Sequence, residues 1–157
     1  MNLPKLVLIL DRLRSAHNTG NVFRIAEALG AGVVPCGYTP CPPHPKLEKT
    51  AMGTDKTVWW KHFDTAAEAV DFFHASSFTV LAAEPGGTEV WELDYPPPMA
   101  VVFGNEALGV SADVLEKVDG IVSLPMCGGK ASINVGNAAA AITYAIDAGW
   151  RGKLKKS

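Results

Sequence analysis

Three polar sets in this 157-residue chain have residue types and positions that could do chemistry. Asn18 and Arg24 lie six residues apart, Glu106 sits inside Gly104–Gly109, and Ser132 stands two residues before Asn134. They supply a cation, a carboxylate, a hydroxyl and carboxamides, and each falls where an apolar run ends or a helical pattern starts. Singly, each has an ordinary structural reading. Asn18 and Ser132 fit helix N-caps, Arg24 an exposed helix cation and Glu106 a solvated loop carboxylate. In combination they mark the place where an open α/β sheet holds a ligand.

The elements that must position them are legible in the hydrophobic pattern. Met99–Phe103 is an apolar run that stops at Gly104, and Ile121–Leu124 is a second, followed by the glycine-bearing loop Cys127–Ala131. Lys5–Leu10 and Gly32–Tyr38 read as buried strands, Thr57–Lys61 as a short strand, and Phe78–Ala83 as another, ending at Glu84-Pro85-Gly86-Gly87. Helical spacing follows Asn18 through Val22, Ile25, Ala26 and Leu29 and stops at Gly30. Thr65 and Glu68 fit a capping box for a helix reaching Ala75, Ser111–Lys117 fits a short helix, and Ser132–Ala148 a final one. The proline-rich stretch after Tyr38 opens a long loop, Thr39–Lys56, which is a candidate for substrate contact. Alternating strands and helices make the fold α/β, with a largely parallel sheet and helices on both faces.

Composition narrows the function. With 48% hydrophobic residues the chain reads as one domain over residues 1–150, with a basic, irregular tail over 151–157. There is no bilayer-length apolar stretch and no signal-peptide pattern at Met1–Asp11, so a cytoplasmic protein with no membrane partner is expected. Cys36, Cys41 and Cys127 form no C-x-x-C pair, and His17, His44, His62 and His74 lack ligand spacing, so no metal is expected. A net charge of −2 speaks against a general polyanion binder and leaves room for local basic patches, at Lys46, Lys49, Lys56 and Lys61 and in the tail. No G-x-G-x-x-G follows the first strand, and neither a P-loop nor a G-x-S-x-G elbow is present.

Asn18-Thr19-Gly20-Asn21-Val22-Phe23-Arg24 resembles the first motif of the TrmH (SpoU) family of SPOUT RNA methyltransferases. Phe103-Gly104-Asn105-Glu106-Ala107-Leu108-Gly109 resembles the second, and Ser132-Ile133-Asn134-Val135 with its alanine-rich helix the third. Lys49-Thr50-Ala51-Met52-Gly53 is similar to the family's middle segment. The resemblance implies a domain with a C-terminal trefoil knot that binds S-adenosylmethionine and forms a homodimer through its first and last helices. Ala82, Ala83 and Glu84, Phe103, Gly104 and Asn105, Leu124 and Met126, and Ser132 with Ile133 would then hold the cofactor. Small residues there let backbone groups approach an adenine edge, and Leu81, Ile121, Leu124 and Ile133 offer apolar walls.

The reaction implied is methyl transfer to a ribose 2′-hydroxyl of tRNA or rRNA, with Arg24 as the central catalytic residue. A guanidinium gives up its proton very reluctantly, so Arg24 is read as stabilising the developing alkoxide and gripping the adjoining phosphate. Glu106 would orient that guanidinium, Asn18 and Asn134 would position the ribose, and Ser132 would anchor its loop.

Many relatives carry an extra N-terminal segment that helps to bind RNA, whereas this chain begins almost at its first strand. Thr39–Lys56, the basic tail and a second subunit are left to supply RNA contacts. Asn18–Asn21 resembles the branch acting on the tRNA wobble ribose, and the middle segment the branches acting on the D-loop guanosine or on rRNA. Two other readings are a non-catalytic RNA-binding scaffold that keeps the fold and a base methyltransferase. The full set of Arg24, Glu106, Ser132 and Asn134 disfavours the scaffold.

Overall fold

The computed structural model describes residues 2–130 and 132–156. In chain order the elements are β1 (Leu6–Asp11), α1 (Ala16–Leu29), β2 (Gly32–Cys36), α2 (Pro45–Ala51), α3 (Ala66–Ala75) and β3 (Thr79–Glu89). They continue as β4 (Met99–Gly104), α4 (Ala112–Lys117), β5 (Gly120–Ser123) and α5 (Val135–Lys156). The five strands form one sheet in the order β2-β1-β4-β3-β5, and every pairing is parallel.

Both faces of the sheet are covered, so the strands are apolar at every position rather than at alternate ones. Side-chain alternation then divides the core in two. Leu6, Leu8, Leu10, Leu81, Val101 and Phe103 meet Val22, Phe23 and Ala26 of α1 and Ile142 of α5. Val7, Ile9, Val80, Ala82 and Val102 meet Val70 and Phe73 of α3 and Val114 of α4.

Several boundaries differ from the sequence reading. α1 begins at Ala16 and is capped by Ser15, whose side chain accepts the Asn18 N–H. Asn18 therefore lies inside the first turn, leaving its carboxamide free for a distant partner. Gly30 ends the helix at φ 66°. Thr39–Lys56 is not an open loop. It contains α2, capped by His44 with Pro45 in its first turn, and a 3₁₀ turn at Thr54–Lys56. Thr57–Lys61 makes only an isolated bridge, Val33 to Trp60.

β3 runs past Ala83 through a register shift and resumes pairing at Thr88, so Glu84–Gly87 is a bulged part of the strand and not the loop that the sequence predicts. α5 starts three residues later than the sequence predicts and continues to Lys156, through the segment whose composition predicts an irregular tail. Three local interactions support that extension. Arg151 pairs with Asp147 one turn back, Trp150 Nε1 donates to the Tyr95 carbonyl, and Lys153 pairs with Asp94.

Candidate active site

The carboxyl ends of β1, β3, β4 and β5 meet at one edge of the sheet, and hydrogen bonds tie their loops together. After β4 the chain folds back on itself, with Asn105 N–H donating to the Gly109 carbonyl at 3.1 Å and Gly109 N–H to that of Asn105 at 2.9 Å. Asn105 Oδ1 accepts from the N–H groups of Ala107 and Leu108, each at 2.8 Å. Its Nδ2 donates to the Arg12 carbonyl at 2.7 Å and to the Tyr38 hydroxyl at 2.9 Å. The fold-back passes so close to Gly104 that a Cβ there would lie 2.2 Å from Gly109 C and Val110 N. Only glycine fits.

The loop's exit is fixed from β1. Buried Asp11 accepts both the N–H and the hydroxyl of Ser111 at 2.8 Å, and its other oxygen accepts Arg12 Nε at 2.9 Å. Ser123 joins β5 to β3 by donating to the Glu84 carbonyl while accepting the Gly87 N–H.

These loops enclose a cavity of about 400 Å³, within the range of small-molecule sites. Ala83, Glu84, Phe103, Gly104, Asn105, Leu124, Met126, Ser132 and Ile133 line it, as expected, and so do Glu106 and Asn134. Ala82 does not. It is fully buried on the opposite face of the sheet, because neighbouring strand residues point to opposite sides. The same parity turns Ile121 away and puts Val122 there, while Leu81, on the cavity's side of the sheet two residues before Ala83, is buried deeper in the core.

Pro85, Ala107, Leu108 and Gly109 of the strand-end loops and Val135, Ala138 and Ile142 of α5 complete the lining; helical spacing marks the α5 residues only as inward-facing and does not assign them to the cavity. Asn105 lines the cavity with its side chain wholly committed to holding the loop. The rim is apolar and uncovered, with Leu108 70%, Ile133 45% and Met126 37% exposed. Free strand-end backbone and uncovered aliphatic walls suit a ligand with a flat heterocycle and an apolar flank, and so fit S-adenosylmethionine.

Beside this cavity Glu106 gathers the start of α1. Its carboxylate accepts from Arg14 N–H at 3.0 Å, Ser15 N–H at 3.2 Å and Asn18 Nδ2 at 3.1 Å. Partial burial would raise its pKa. The bonds from Arg14, its own N–H, Asn18 and Ser15 outweigh burial and hold it below the ordinary value. Asn18 Oδ1 accepts in turn from Asn134 Nδ2 at 3.3 Å, while Asn134 Oδ1 accepts the Gly136 and Asn137 N–H groups and so caps α5. The cap on this helix is therefore Asn134, where Ser132 had been a candidate.

Arg24 stands apart. It is exposed on α1 and lines a separate groove with Asn21, Ile25, Ala28, Gly136, Asn137, Ala140 and Tyr144. Among the described residues it has no ion-pair partner, and the expected Glu106–Arg24 contact is absent. The reason is helical phase together with the earlier start of α1. Asn18 faces the β4 loop, whereas Arg24, almost two turns on, faces the α1–α5 groove.

Comparison with known proteins matches this architecture. The profile of the SpoU rRNA Methylase family covers residues 5–144. A tRNA (guanosine(18)-2′-O)-methyltransferase of Thermus thermophilus is 33% identical over 147 residues, spanning 90% of this chain and 73% of the relative. The SpoU methyltransferase AviRb of Streptomyces viridochromogenes, solved with AdoMet, superposes with a TM-score of 0.86 at 27% identity, over 98% of this chain and 60% of that one. A structure described as giving insights into the 2-OH methylation of C/U34 on tRNA superposes at 0.84 with 25% identity, over 95% of this chain and 98% of that one. With its profile match spanning all five strands and the cavity they build, the chain belongs to the SpoU rRNA Methylase family.

Proposed function

We propose that this chain acts in the cytoplasm as a homodimer, and that it methylates a ribose 2′-hydroxyl of tRNA with Arg24 as the residue that meets the reacting nucleotide. The chain is an S-adenosylmethionine-dependent RNA 2′-O-methyltransferase. The choice of tRNA rests on the Thermus relative and on the near-equal length of the chain solved for C/U34 methylation. The dimer and the role of Arg24 rest on one observation. The groove that Arg24 lines shares no lining residue with the cofactor cavity, so one protomer does not by itself bring that cation to the cavity.

A second copy packed on α1 and α5 completes such a site. Arg24 and Tyr144 of one protomer would then face the cavity mouth of its partner, which Ser132, Ile133 and Asn134 border. We extend the family's trefoil knot to this chain on the same footing, with the chain after β5 passing through the loop that follows β4.

When bound, S-adenosylmethionine supplies an activated methyl group. Leu108, Leu124, Met126 and Ile133 would cover its apolar parts, and the Glu84 and Gly104 backbones would meet its polar edge. Arg24 would offer parallel N–H groups to the ribose oxygen and the neighbouring phosphate, lowering the cost of the developing alkoxide as that oxygen takes the methyl group and its proton passes to solvent water. Glu106 acts through structure by holding the start of α1, and hence Asn18, against the β4 loop. Lys46 and Lys49 on α2 are exposed and would meet RNA phosphates.

The test is transfer from labelled S-adenosylmethionine to unfractionated tRNA and, separately, to rRNA, followed by nucleoside digestion and mass spectrometry. A 2′-O-methylated nucleoside made from tRNA by the wild type and not by Arg24→Ala supports the proposal. Modification confined to rRNA overturns the choice of substrate, and a methylated base overturns the assigned acceptor. A monomer with full activity by sedimentation overturns the composite site.

A further inference from the structure

Tyr38 is an exposed aromatic residue whose position is nonetheless fixed. The residue is 58% exposed, yet its hydroxyl accepts from Nδ2 of Asn105, a residue only 4% exposed at the base of the cofactor loop. An aromatic side chain that leaves more than half its surface in water contributes little to a core. One whose polar end is bonded to a buried carboxamide does not swing freely either.

The surroundings of Tyr38 are equally well tied. Gly37 adopts φ +62°, and a Cβ there would stand 3.3 Å from Arg12 Cγ, so the arginine stem lies close along this turn. Thr39 Oγ1 bonds the ends of β1 and β2 together, accepting Leu13 N–H at 2.9 Å and reaching the Cys36 carbonyl at 2.7 Å. His62 Nε2 meets the Gly37 carbonyl at 2.9 Å and leaves its ring exposed. Arg12 itself has φ 59°, unusual for a side-chain-bearing residue, and is held by Asp11 and by the Asn105 bond to its carbonyl.

The ring therefore sits one hydrogen bond and one peptide away from Glu106, at the carboxyl edge of the sheet, on the turn whose Gly37 also brings up the Arg12 stem and the His62 imidazole. A rigid, solvent-facing ring flanked by such groups is the chemistry that receives an unpaired nucleobase, since every base offers a π-face and every nucleotide a phosphate. We propose that Tyr38 is a stacking platform for an unpaired base of the RNA substrate, with Arg12 and His62 beside it meeting the backbone. This rests on the reading of the chain as an RNA methyltransferase and specifies which surface receives the RNA beyond the reacting nucleotide.

The deciding experiment measures equilibrium binding of fluorescently labelled, unfractionated tRNA to wild type, Tyr38→Ala and Tyr38→Phe in the presence of S-adenosylhomocysteine. Calorimetric binding of S-adenosylhomocysteine and sedimentation are measured on the same samples. The platform requires tRNA affinity to fall about tenfold or more in Tyr38→Ala and to stay within about twofold in Tyr38→Phe, with cofactor affinity and association state unchanged. Equal tRNA binding by Tyr38→Ala and wild type overturns it. So does loss of tRNA binding in both variants together with cofactor binding, which would make the Asn105 bond the function of this tyrosine, or loss together with dissociation. Methyl transfer by the wild type reports separately on the parent reading. Tyr38-dependent binding without methylation leaves the platform standing and removes the reaction, whereas a wild type that binds no tRNA overturns the platform.

Discussion

Asn18 Nδ2 donates to Glu106 Oε2 at 3.1 Å, joining the first turn of α1 to the loop after β4 across most of the chain. The same carboxylate accepts the Arg14 and Ser15 N–H groups, so one side chain fixes where the first helix starts relative to the cofactor loop.

Removing that carboxylate leaves two backbone donors and a carboxamide without their acceptor. Because the site is open to water, the expected loss for Glu106→Ala is about 1–2 kcal/mol of stability, read by urea denaturation. Cofactor affinity should fall as well, since the loop lines the cavity. Glu106→Gln keeps one oxygen and should recover part of both. An alanine variant with wild-type denaturation and affinity would show that the loop holds itself.

The acid side of the stability profile follows from the same bonds. Glu106 has its folded pKa below the ordinary value, so the unfolded chain takes up the proton first as pH falls. Its contribution is complete above the ordinary glutamate value of about 4.3 and fades as pH drops through the lower folded value. Glu106→Gln should therefore flatten the decline of melting temperature on the acid side while leaving the slope near neutrality unchanged. Identical acid slopes in the two proteins would refute this.

Asp11 is 2% exposed and anchors Ser111 and Arg12. Asp11→Ala strands the half-buried N–H and hydroxyl of Ser111 and unlocks the exit of the β4 loop. The expected cost is about 2–3 kcal/mol, with cofactor affinity weakened more than RNA affinity. Denaturation and calorimetry separate the two effects.

Gly104→Ala would place a methyl group 2.2 Å from backbone atoms of Gly109 and Val110, neither of which can rotate away. The loop must open, at a cost of about 1–3 kcal/mol or more, and cofactor binding is expected to be lost in protein that still folds. Retained binding would mean that the fold-back is dispensable.

Arg24→Lys keeps the charge and removes the planar pair of donors. Methyl transfer should fall at least about tenfold while cofactor binding stays unchanged, because Arg24 lies outside the cavity. Near-full activity of the lysine variant would eliminate a bidentate role.

Much of this protein is legible in its residues. Continuous aliphatic runs bounded by glycine and proline mark strands buried on both faces, and the Thr65–Glu68 cap and Gly30 stop are local chemistry that tertiary context did not overrule. The strand-end loops and nearly all of the cavity's predicted residues follow from the same runs, because an apolar strand that stops at small residues must end at the sheet's edge. What the residues could not show is pairing over distance and phase within an element. Ser15 and Asn18 are both good caps, and only Glu106, folded back from β4, decides that Ser15 caps while Asn18 reaches outward. The one-residue parity that excludes Ala82 and admits Val122 depends on which face of the sheet α5 covers. The separation of Arg24 from Glu106 depends on the angular position of Arg24 around α1, which hydrophobic spacing defines for buried residues and leaves unassigned for an exposed cation.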